Sequence, residues 1–140
     1  MFKSLEGKVC VVTGAARSIG LAIAERYCSN RAKVVMIDIN PDVVKEAEKL
    51  AAQGYTAKGI ILDITNRDAV LSCFEQIEKE FGPIYALVNN AGIVDQRPFE
   101  EITADQINKQ MAVNVNGALF CAQGAVKSMK AQKEGKIINF

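Results

Sequence analysis

The sequence contains no histidine, which removes several kinds of chemistry at once. A Ser-His-Asp triad and any acid–base mechanism based on imidazole are excluded, and a cysteine nucleophile would lack its usual activating base. The four cysteines are far apart and form no Cys-x-x-Cys pair, so no metal site of the usual zinc type is expected. We interpret them as small, reduced apolar residues: Cys10, Cys28, Cys73 and Cys121.

The sequence also has little net charge and few long apolar segments. The formal net charge is +1 and the lysines and arginines are scattered, so nothing indicates binding to nucleic acid or to an anionic membrane. The first residues lack the apolar core of a signal peptide, and no segment is long enough to span a bilayer. We therefore expect one cytoplasmic domain formed by residues 1–140.

Apolar runs that alternate with helical patterns organise the chain. Between the runs, apolar residues recur at every third or fourth position, as in helices that pack against a sheet. This alternation predicts an α/β fold with a parallel sheet. The runs predict these strands: Val9–Val12, Lys33–Ile37, Lys58–Leu62, Ile84–Val88 and Lys136–Phe140.

Pairs of polar residues three positions apart predict where two of the helices begin. Thr65 with Asp68 and Thr103 with Gln106 are candidate capping boxes. The second pair opens a long helical pattern that continues to Lys133. Glycines within this pattern are tolerated where a neighbour packs closely or where the helix bends.

The segment Val9–Gly20 has the composition of a phosphate-binding loop between a strand and a helix. Gly14 permits a tight turn, and the two alanines that follow keep the loop thin enough for an anion to approach the backbone. Ser18–Gly20 then begin a helix whose free N–H groups and positive dipole end favour an anion. The alternative is an ordinary strand-turn-helix unit with incidental glycines.

Asp38 follows the second predicted strand, roughly 20 residues after the glycine loop. An acid at this offset hydrogen-bonds the adenosine ribose in dinucleotide-binding sites. The alternative is a solvated aspartate in the turn before Asn40, which we expect to cap the next helix.

Four motifs together resemble the short-chain dehydrogenase/reductase (SDR) family over nearly the whole chain. They are Thr13–Gly20, Asp63, Asn89–Gly92 and Asn114. The resemblance implies a Rossmann-like doubly wound parallel sheet and reversible hydride transfer between a nicotinamide cofactor and a small alcohol or ketone. It also implies a homo-oligomer, a dimer or tetramer, assembled through the long helix.

The resemblance assigns the cofactor site residue by residue. The glycine loop would contact the pyrophosphate and the adenosine ribose through Gly14, Ser18, Ile19 and Gly20. Asp38 would accept hydrogen bonds from the ribose hydroxyls and repel a 2′-phosphate, so NAD is expected rather than NADP. Arg17 argues the other way, because NADP enzymes of the family use a basic residue beside this loop.

Further positions follow from the same resemblance. Asp63 and Ile64 would meet the adenine, although an acid at a strand end also caps the next helix. The segment Asn90, Ala91 and Gly92 would border the nicotinamide ribose, with a simple asparagine-rich turn as the alternative. Asn114 is the candidate catalytic residue, because in the family it marks a helix bend whose freed carbonyl holds a water of the proton relay. An asparagine that only satisfies nearby backbone is the alternative, and Asn116 competes for the role.

The sequence departs from the family pattern in two places. Ser18 stands where the family usually has its second glycine, which restricts the backbone but adds a hydroxyl that could donate to a phosphate. The family's catalytic serine and Tyr-x-x-x-Lys pair lie beyond the fifth strand, whereas the sequence ends at Phe140. We therefore expect residues 1–140 to be the cofactor-binding half, without the catalytic and substrate segment, and to be inactive alone.

No tyrosine in the sequence replaces the missing acid. Tyr27, Tyr55 and Tyr85 are not followed four positions later by lysine, and packing explains each of them better. Two alternatives to an enzyme of this family stay open: a non-catalytic NAD-binding module, and a methyltransferase that uses S-adenosylmethionine. The segment Asn89–Gly92 argues against the methyltransferase.

Overall fold

Five parallel strands form a single sheet in the order β3-β2-β1-β4-β5. A computed structural model describes residues 5–140. Because the order reverses at β1, the chain winds first towards one edge of the sheet and then towards the other, which confirms the Rossmann-like doubly wound α/β fold. The strands are β1 Val9–Thr13, β2 Lys33–Asp38, β3 Thr56–Ile61, β4 Ile84–Asn89 and β5 Lys136–Asn139.

Helices connect the strands and cover both faces of the sheet. They are α1 Ser18–Ser29, α2 Asp42–Ala52, α3 Arg67–Phe81, α4 Ala104–Met111 and α5 Ala118–Gln132. A six-residue π-helix, Ala112–Gly117, joins α4 to α5. A short 3-10 turn, Phe99–Glu101, precedes α4. Within residues 5–140, no helix is both long enough and apolar enough to cross a membrane.

The central strand β1 is buried on both faces, which explains its uninterrupted apolar sequence. Successive side chains of a strand point to opposite faces, so Cys10 and Val12 pack under α1 and α2. Val9 and Val11 pack under α3 and α5. The chain thus has one apolar core on each side of the sheet.

Two glycines let α5 and the π-helix approach α3 and the β3–α3 connection closely. A Cβ atom at Gly124 would lie 2.6 Å from Cγ of Phe74, and one at Gly117 would lie 2.6 Å from Cδ1 of Ile64. Both distances are too short for any side chain. Of the two expected reasons for tolerating these glycines, close packing applies to both, and Gly117 also lies in the irregular π-helix.

The predicted helix starts were right in one case and wrong in the other. The capping box of Thr103 and Gln106 is present, with each side chain accepting from the other residue's backbone N–H. The box predicted for Thr65 is wrong, because the Thr65 hydroxyl donates to Oδ1 of Asp63 at 2.8 Å. The side chain of Asn66 caps α3 instead, by accepting from N–H of Ala69.

Several strand and helix boundaries differ from the prediction by one or two residues. The third strand begins at Thr56 and ends at Ile61, earlier than predicted at both ends. The carboxamide of Asn40 accepts from N–H of Asp42 at 2.9 Å, so its capping bond is present although α2 is assigned from Asp42 onwards.

Candidate functional site

The carboxyl ends of the four strands β1 to β4 open into one cavity of about 530 Å³. It lies where the strand order reverses, which is where open α/β sheets bind ligands. Most residues that the sequence assigned to a cofactor line it: Gly14, Arg17, Ser18, Ile19, Asp38, Asp63, Ile64, Asn90, Ala91 and Gly92. The structure therefore brings together residues that are up to 78 positions apart in the sequence.

Gly20 lies beneath the loop and does not line the cavity. A Cβ atom at Gly20 would overlap the carbonyl oxygen of Gly14 and come within 2.6 Å of Nδ2 of Asn90. At Gly14, where φ is +66°, a Cβ would lie 2.9 Å from Cα of Ala91. The two glycines thus allow the start of α1, the loop and the segment after β4 to be in mutual contact.

Thr13 and Asn90 join the loop after β1 to the segment after β4. Oγ1 of Thr13 accepts from N–H of Asn90 at 3.1 Å and from N–H of Ala91 at 3.0 Å. In return, Nδ2 of Asn90 donates to the carbonyl oxygens of Thr13 at 3.1 Å and Gly14 at 3.2 Å. Thr13 is buried, and the sequence analysis did not assign it a role of its own. The available signal was a hydroxyl at the end of an apolar strand, directly before a glycine.

Asp38 is half-buried on the cavity wall and is already hydrogen-bonded on both carboxylate oxygens. Oδ2 accepts from N–H of Ala16 in the glycine loop at 2.9 Å, and Oδ1 accepts from N–H of Asn40 at 2.9 Å. The side chain is therefore not a freely solvated turn aspartate. Its bond to the loop was not foreseen.

Asp63 and Ile64 form the cavity wall at the end of β3. Oδ1 of Asp63 accepts from N–H of Thr65 at 2.9 Å as well as from its hydroxyl. Ile64 is buried between the cavity and Gly117 of the π-helix. The wall is thus acidic at its rim and apolar at its base.

Asn114 lies in the π-helix, where the sequence analysis expected a bend. Its Oδ1 accepts from N–H of Ile93 and its Nδ2 donates to the carbonyl oxygen of Ile93, both at 2.8 Å. The side chain lines a second cavity of about 580 Å³ beside Met111 and Val115. Asn116 lines neither cavity. Asn114 therefore fixes the segment after β4 to the long helix.

All four cysteine thiols have raised pKa values, which favours their protonated form at neutral pH. Burial raises the pKa of Cys10 and of Cys121 to about 12, and the pKa of Cys28 and of Cys73 to about 11. None of them lines either cavity. This agrees with their interpretation as small apolar residues.

The family model for short chain dehydrogenases matches residues 8–140. The chain belongs to this family. Among curated short chain dehydrogenase relatives, the sorbitol dehydrogenase of Cereibacter sphaeroides is 39% identical over 137 residues, which are 96% of this chain and 52% of that protein. The gluconate 5-dehydrogenase of Gluconobacter oxydans is 36% identical over 97% of this chain and 54% of that protein. The chain spans about half the length of the curated relatives it matches.

Solved structures of short chain dehydrogenases have the same fold. A gluconate 5-dehydrogenase from Burkholderia cenocepacia, in complex with NADP and tartrate, superimposes with a TM-score of 0.90 at 32% identity. The match covers 96% of this chain and 53% of that one. A metagenomic short-chain oxidoreductase in complex with NADP gives a TM-score of 0.90 at 31% identity, over 97% and 62% of the two chains. These relatives support NAD(P) as the cofactor class, but both structures hold NADP, against the expectation of NAD.

Several residues of the cavity were missed by the sequence analysis. Ile39 directly follows Asp38 and is 67% exposed, and Lys109 and Val113 face the cavity from α4 and the π-helix. The spacing of four between Lys109 and Val113 is a signal that could have placed both on one helix face. It could not show which ligand site that face borders.

Ser18 begins α1 in the left-handed region of the backbone, with φ of +52°. Glycine adopts this conformation at no steric cost, whereas a residue with a Cβ is destabilised there by about 1–2 kcal/mol. The serine that replaces the second glycine of the family pattern is therefore strained.

Replacing Thr13 by valine should lower the free energy of unfolding by about 1–3 kcal/mol, because the N–H groups of Asn90 and Ala91 would lose their acceptor. Urea denaturation of the two proteins measures the difference. The matched control is Thr13→Ser, which keeps the hydroxyl and should retain most of the stability. Equal losses in the two variants would contradict a role for the oxygen.

Replacing Ser18 by glycine should raise the free energy of unfolding by about 1 kcal/mol, because the left-handed backbone is then unstrained. Thermal and urea denaturation both report the change. Ser29→Gly, at the other end of the same helix and in ordinary helical conformation, should instead be destabilising. A Ser18→Gly variant that is less stable than the parent protein would show that the strain argument is wrong.

Proposed function

We propose that residues 1–140 are the NAD(P)-binding part of an oxidoreductase that transfers a hydride between nicotinamide and the carbon of an alcohol or ketone. The observation that carries this proposal is the convergence of the glycine loop, Asp38 and the segment Asn90–Gly92 on one cavity. Its volume of about 530 Å³ is in the range of ordinary ligand pockets.

The residues of the cavity fit a dinucleotide. Gly14 leaves no side chain between the loop and the ligand, and the free N–H groups at the start of α1 favour a diphosphate. Ser18 is exposed at this helix start and can donate a hydrogen bond to a phosphate oxygen. Ile39 and Ile64 provide apolar walls for the adenine, with Asp63 at the rim.

The chemistry of hydride transfer is supplied by the nicotinamide when the cofactor is bound. The chain's own residues position it, because Asn114 fixes Ile93 at the end of the segment that would border the nicotinamide ribose. Within residues 5–140, no tyrosine lines either cavity, so the described residues offer no phenolic acid to the reacting oxygen. We therefore propose that this chain binds the cofactor but does not turn over a substrate alone.

Our proposal for the cofactor is NAD, for an electrostatic reason. The Asp38 carboxylate lies on the cavity wall at the end of β2, where a 2′-phosphate would meet a like charge. Arg17 lines the same cavity and argues for NADP, as do the two solved relatives that hold NADP. We give more weight to Asp38, because its two hydrogen bonds to the backbone fix the carboxylate in place.

The names of the relatives suggest the class of substrate. They include sorbitol dehydrogenase, gluconate 5-dehydrogenase and galactitol 2-dehydrogenase. We propose that a protein containing this chain acts on a small polyhydroxylated alcohol or the matching ketone.

The proposal includes self-association through the long helix. Large apolar side chains repeat every four residues along α4, the π-helix and the start of α5 but are exposed, from 39% at Val115 to 58% at Leu119. Monomeric proteins seldom expose such a contiguous row. The row consists of Ile107, Met111, Val115 and Leu119. We infer that a second copy of the chain covers it.

The chain should bind NADH at least ten times more tightly than NADPH, because Asp38 opposes the 2′-phosphate. Quenching or enhancement of the nicotinamide fluorescence gives both dissociation constants, and S-adenosylmethionine serves as the control ligand, which should not compete. Tighter binding of NADPH would overturn the cofactor preference alone. Failure of both dinucleotides to bind would overturn the proposed function.

Replacing Leu119 by lysine should convert the protein to a monomer of about 15.2 kDa, because a charge cannot be buried in an apolar interface without a partner. Light scattering coupled to gel filtration measures the mass. Ala131→Lys places the same charge on an exposed site of α5 outside the row and should leave the oligomer intact. A parent protein that is already monomeric at high concentration would contradict the inference.

A further inference from the structure

Two hydrogen bonds attach the middle of the glycine loop to the end of β2. N–H of Ala15 donates to the carbonyl oxygen of Ile37 at 3.2 Å, a contact between backbones that no substitution removes directly. N–H of Ala16 donates to Oδ2 of Asp38 at 2.9 Å. The second bond depends entirely on one side chain.

These two hydrogen bonds stabilise a loop that has no regular secondary structure and whose backbone conformation is restricted. Gly14 and Ser18, on either side of the attached alanines, both have left-handed backbones, with φ of +66° and +52°. Ala15 and Ala16 are buried, so an N–H group that lost its acceptor there could not readily turn to water. A buried unpaired donor is costly, and the loop would rearrange to find another acceptor.

Asp38 is itself held in place by two other hydrogen bonds, one to its carboxylate and one to its backbone. Oδ1 accepts from N–H of Asn40 at 2.9 Å, and the backbone carbonyl oxygen of Asp38 accepts from N–H of Leu62 at 3.0 Å. Each carboxylate oxygen can accept more than one hydrogen bond, so the bonds to backbone leave capacity for ribose hydroxyls. The side chain is oriented before any ligand arrives.

We propose that Asp38 is a positioning residue for the phosphate-binding loop, in addition to its role at the ribose. This rests on the proposed cofactor site. One carboxylate then contributes to binding both parts of adenosine diphosphate. It binds the ribose directly, and it positions the loop that binds the diphosphate. Removing Asp38 weakens the binding even of a ligand that has no ribose.

Inorganic pyrophosphate separates this proposal from simple electrostatics, because the two predict changes of opposite sign. Removing a negative charge from the cavity wall should tighten pyrophosphate binding if the charge alone matters. If Asp38 positions the loop, Asp38→Ala should weaken pyrophosphate binding by about 3- to 10-fold. Asp42→Ala is the control, since it removes an exposed acid of α2 that does not line the cavity and should leave the affinity within about 2-fold.

Each protein is titrated with pyrophosphate in the absence of divalent cations. Two-dimensional NMR spectra of the backbone amides report the binding. The same spectra give hydrogen exchange of the Ala16 amide, which should be at least 10-fold faster in Asp38→Ala, with a smaller change at the amide of Leu87 in β4, which reports the stability of the whole fold. Unchanged exchange of Ala16, or pyrophosphate binding as tight as in the parent protein, would overturn the proposal. If Asp38→Ala does not fold, Asp38→Asn is read instead: it also removes the charge but keeps an acceptor oxygen for only one of the two N–H groups, so it should weaken pyrophosphate binding relative to the parent protein.

The proposed function fails in a different way. If the parent protein bound neither NADH nor pyrophosphate, the cofactor site would be refuted, and with it the role of the loop in binding. A different result would refute the positioning role alone. In that case the parent protein binds NADH, and Asp38→Ala exchanges the Ala16 amide faster but binds pyrophosphate with unaltered affinity.

Discussion

The hydroxyl of Thr13 is the contact on which the arrangement of the cavity depends. It is buried at the end of the central strand, and it accepts from two consecutive N–H groups of the segment that follows β4. Because β1 and β4 are neighbours at the point where the strand order reverses, their two loops leave the sheet side by side. With Thr13 and Asn90 bonded to each other's backbones, the loops form one rigid wall.

Side chains add attachments between this wall and the remaining ones, beyond those of the sheet and the backbone. Asp38 connects the end of β2 to the glycine loop, and Asn114 connects the long helix to Ile93. Each is a polar residue that bonds to the backbone of a segment distant in sequence. Such bonds are specific in direction, so they fix the relative positions of the cavity walls more precisely than apolar packing does. The glycines make the contacts close enough for these bonds to form.

The sequence predicted the fold class, the strands and most of the cavity because these depend on local patterns. Uninterrupted apolar runs identify strands buried on both faces, and the offset between the glycine loop and Asp38 is a property of one strand-helix-strand unit. The start of α3 was mispredicted because Asp63 competes for the hydroxyl of Thr65, a contact that no spacing rule describes. The roles of Thr13, and of Asp38 in the loop, were not foreseen because they depend on which strands are adjacent. The exposure of Leu119 also follows from tertiary packing, since its spacing alone is that of a core residue.

The π-helix between α4 and α5 absorbs one extra residue without changing the rotational phase of the helix that follows it. In an α-helix each residue turns the chain by about 100°, and a π-turn accommodates one extra residue within a continuous helix. Deleting a single residue from Ala112–Gly117 would restore a regular helix without breaking it. Because the π-turn absorbs the extra residue, α5 would keep nearly the same rotation, and Cys121 and Ala125 would still face the sheet. The residues of the π-helix itself would shift, so the deletion would alter the contact of Asn114 with Ile93 rather than the packing of α5.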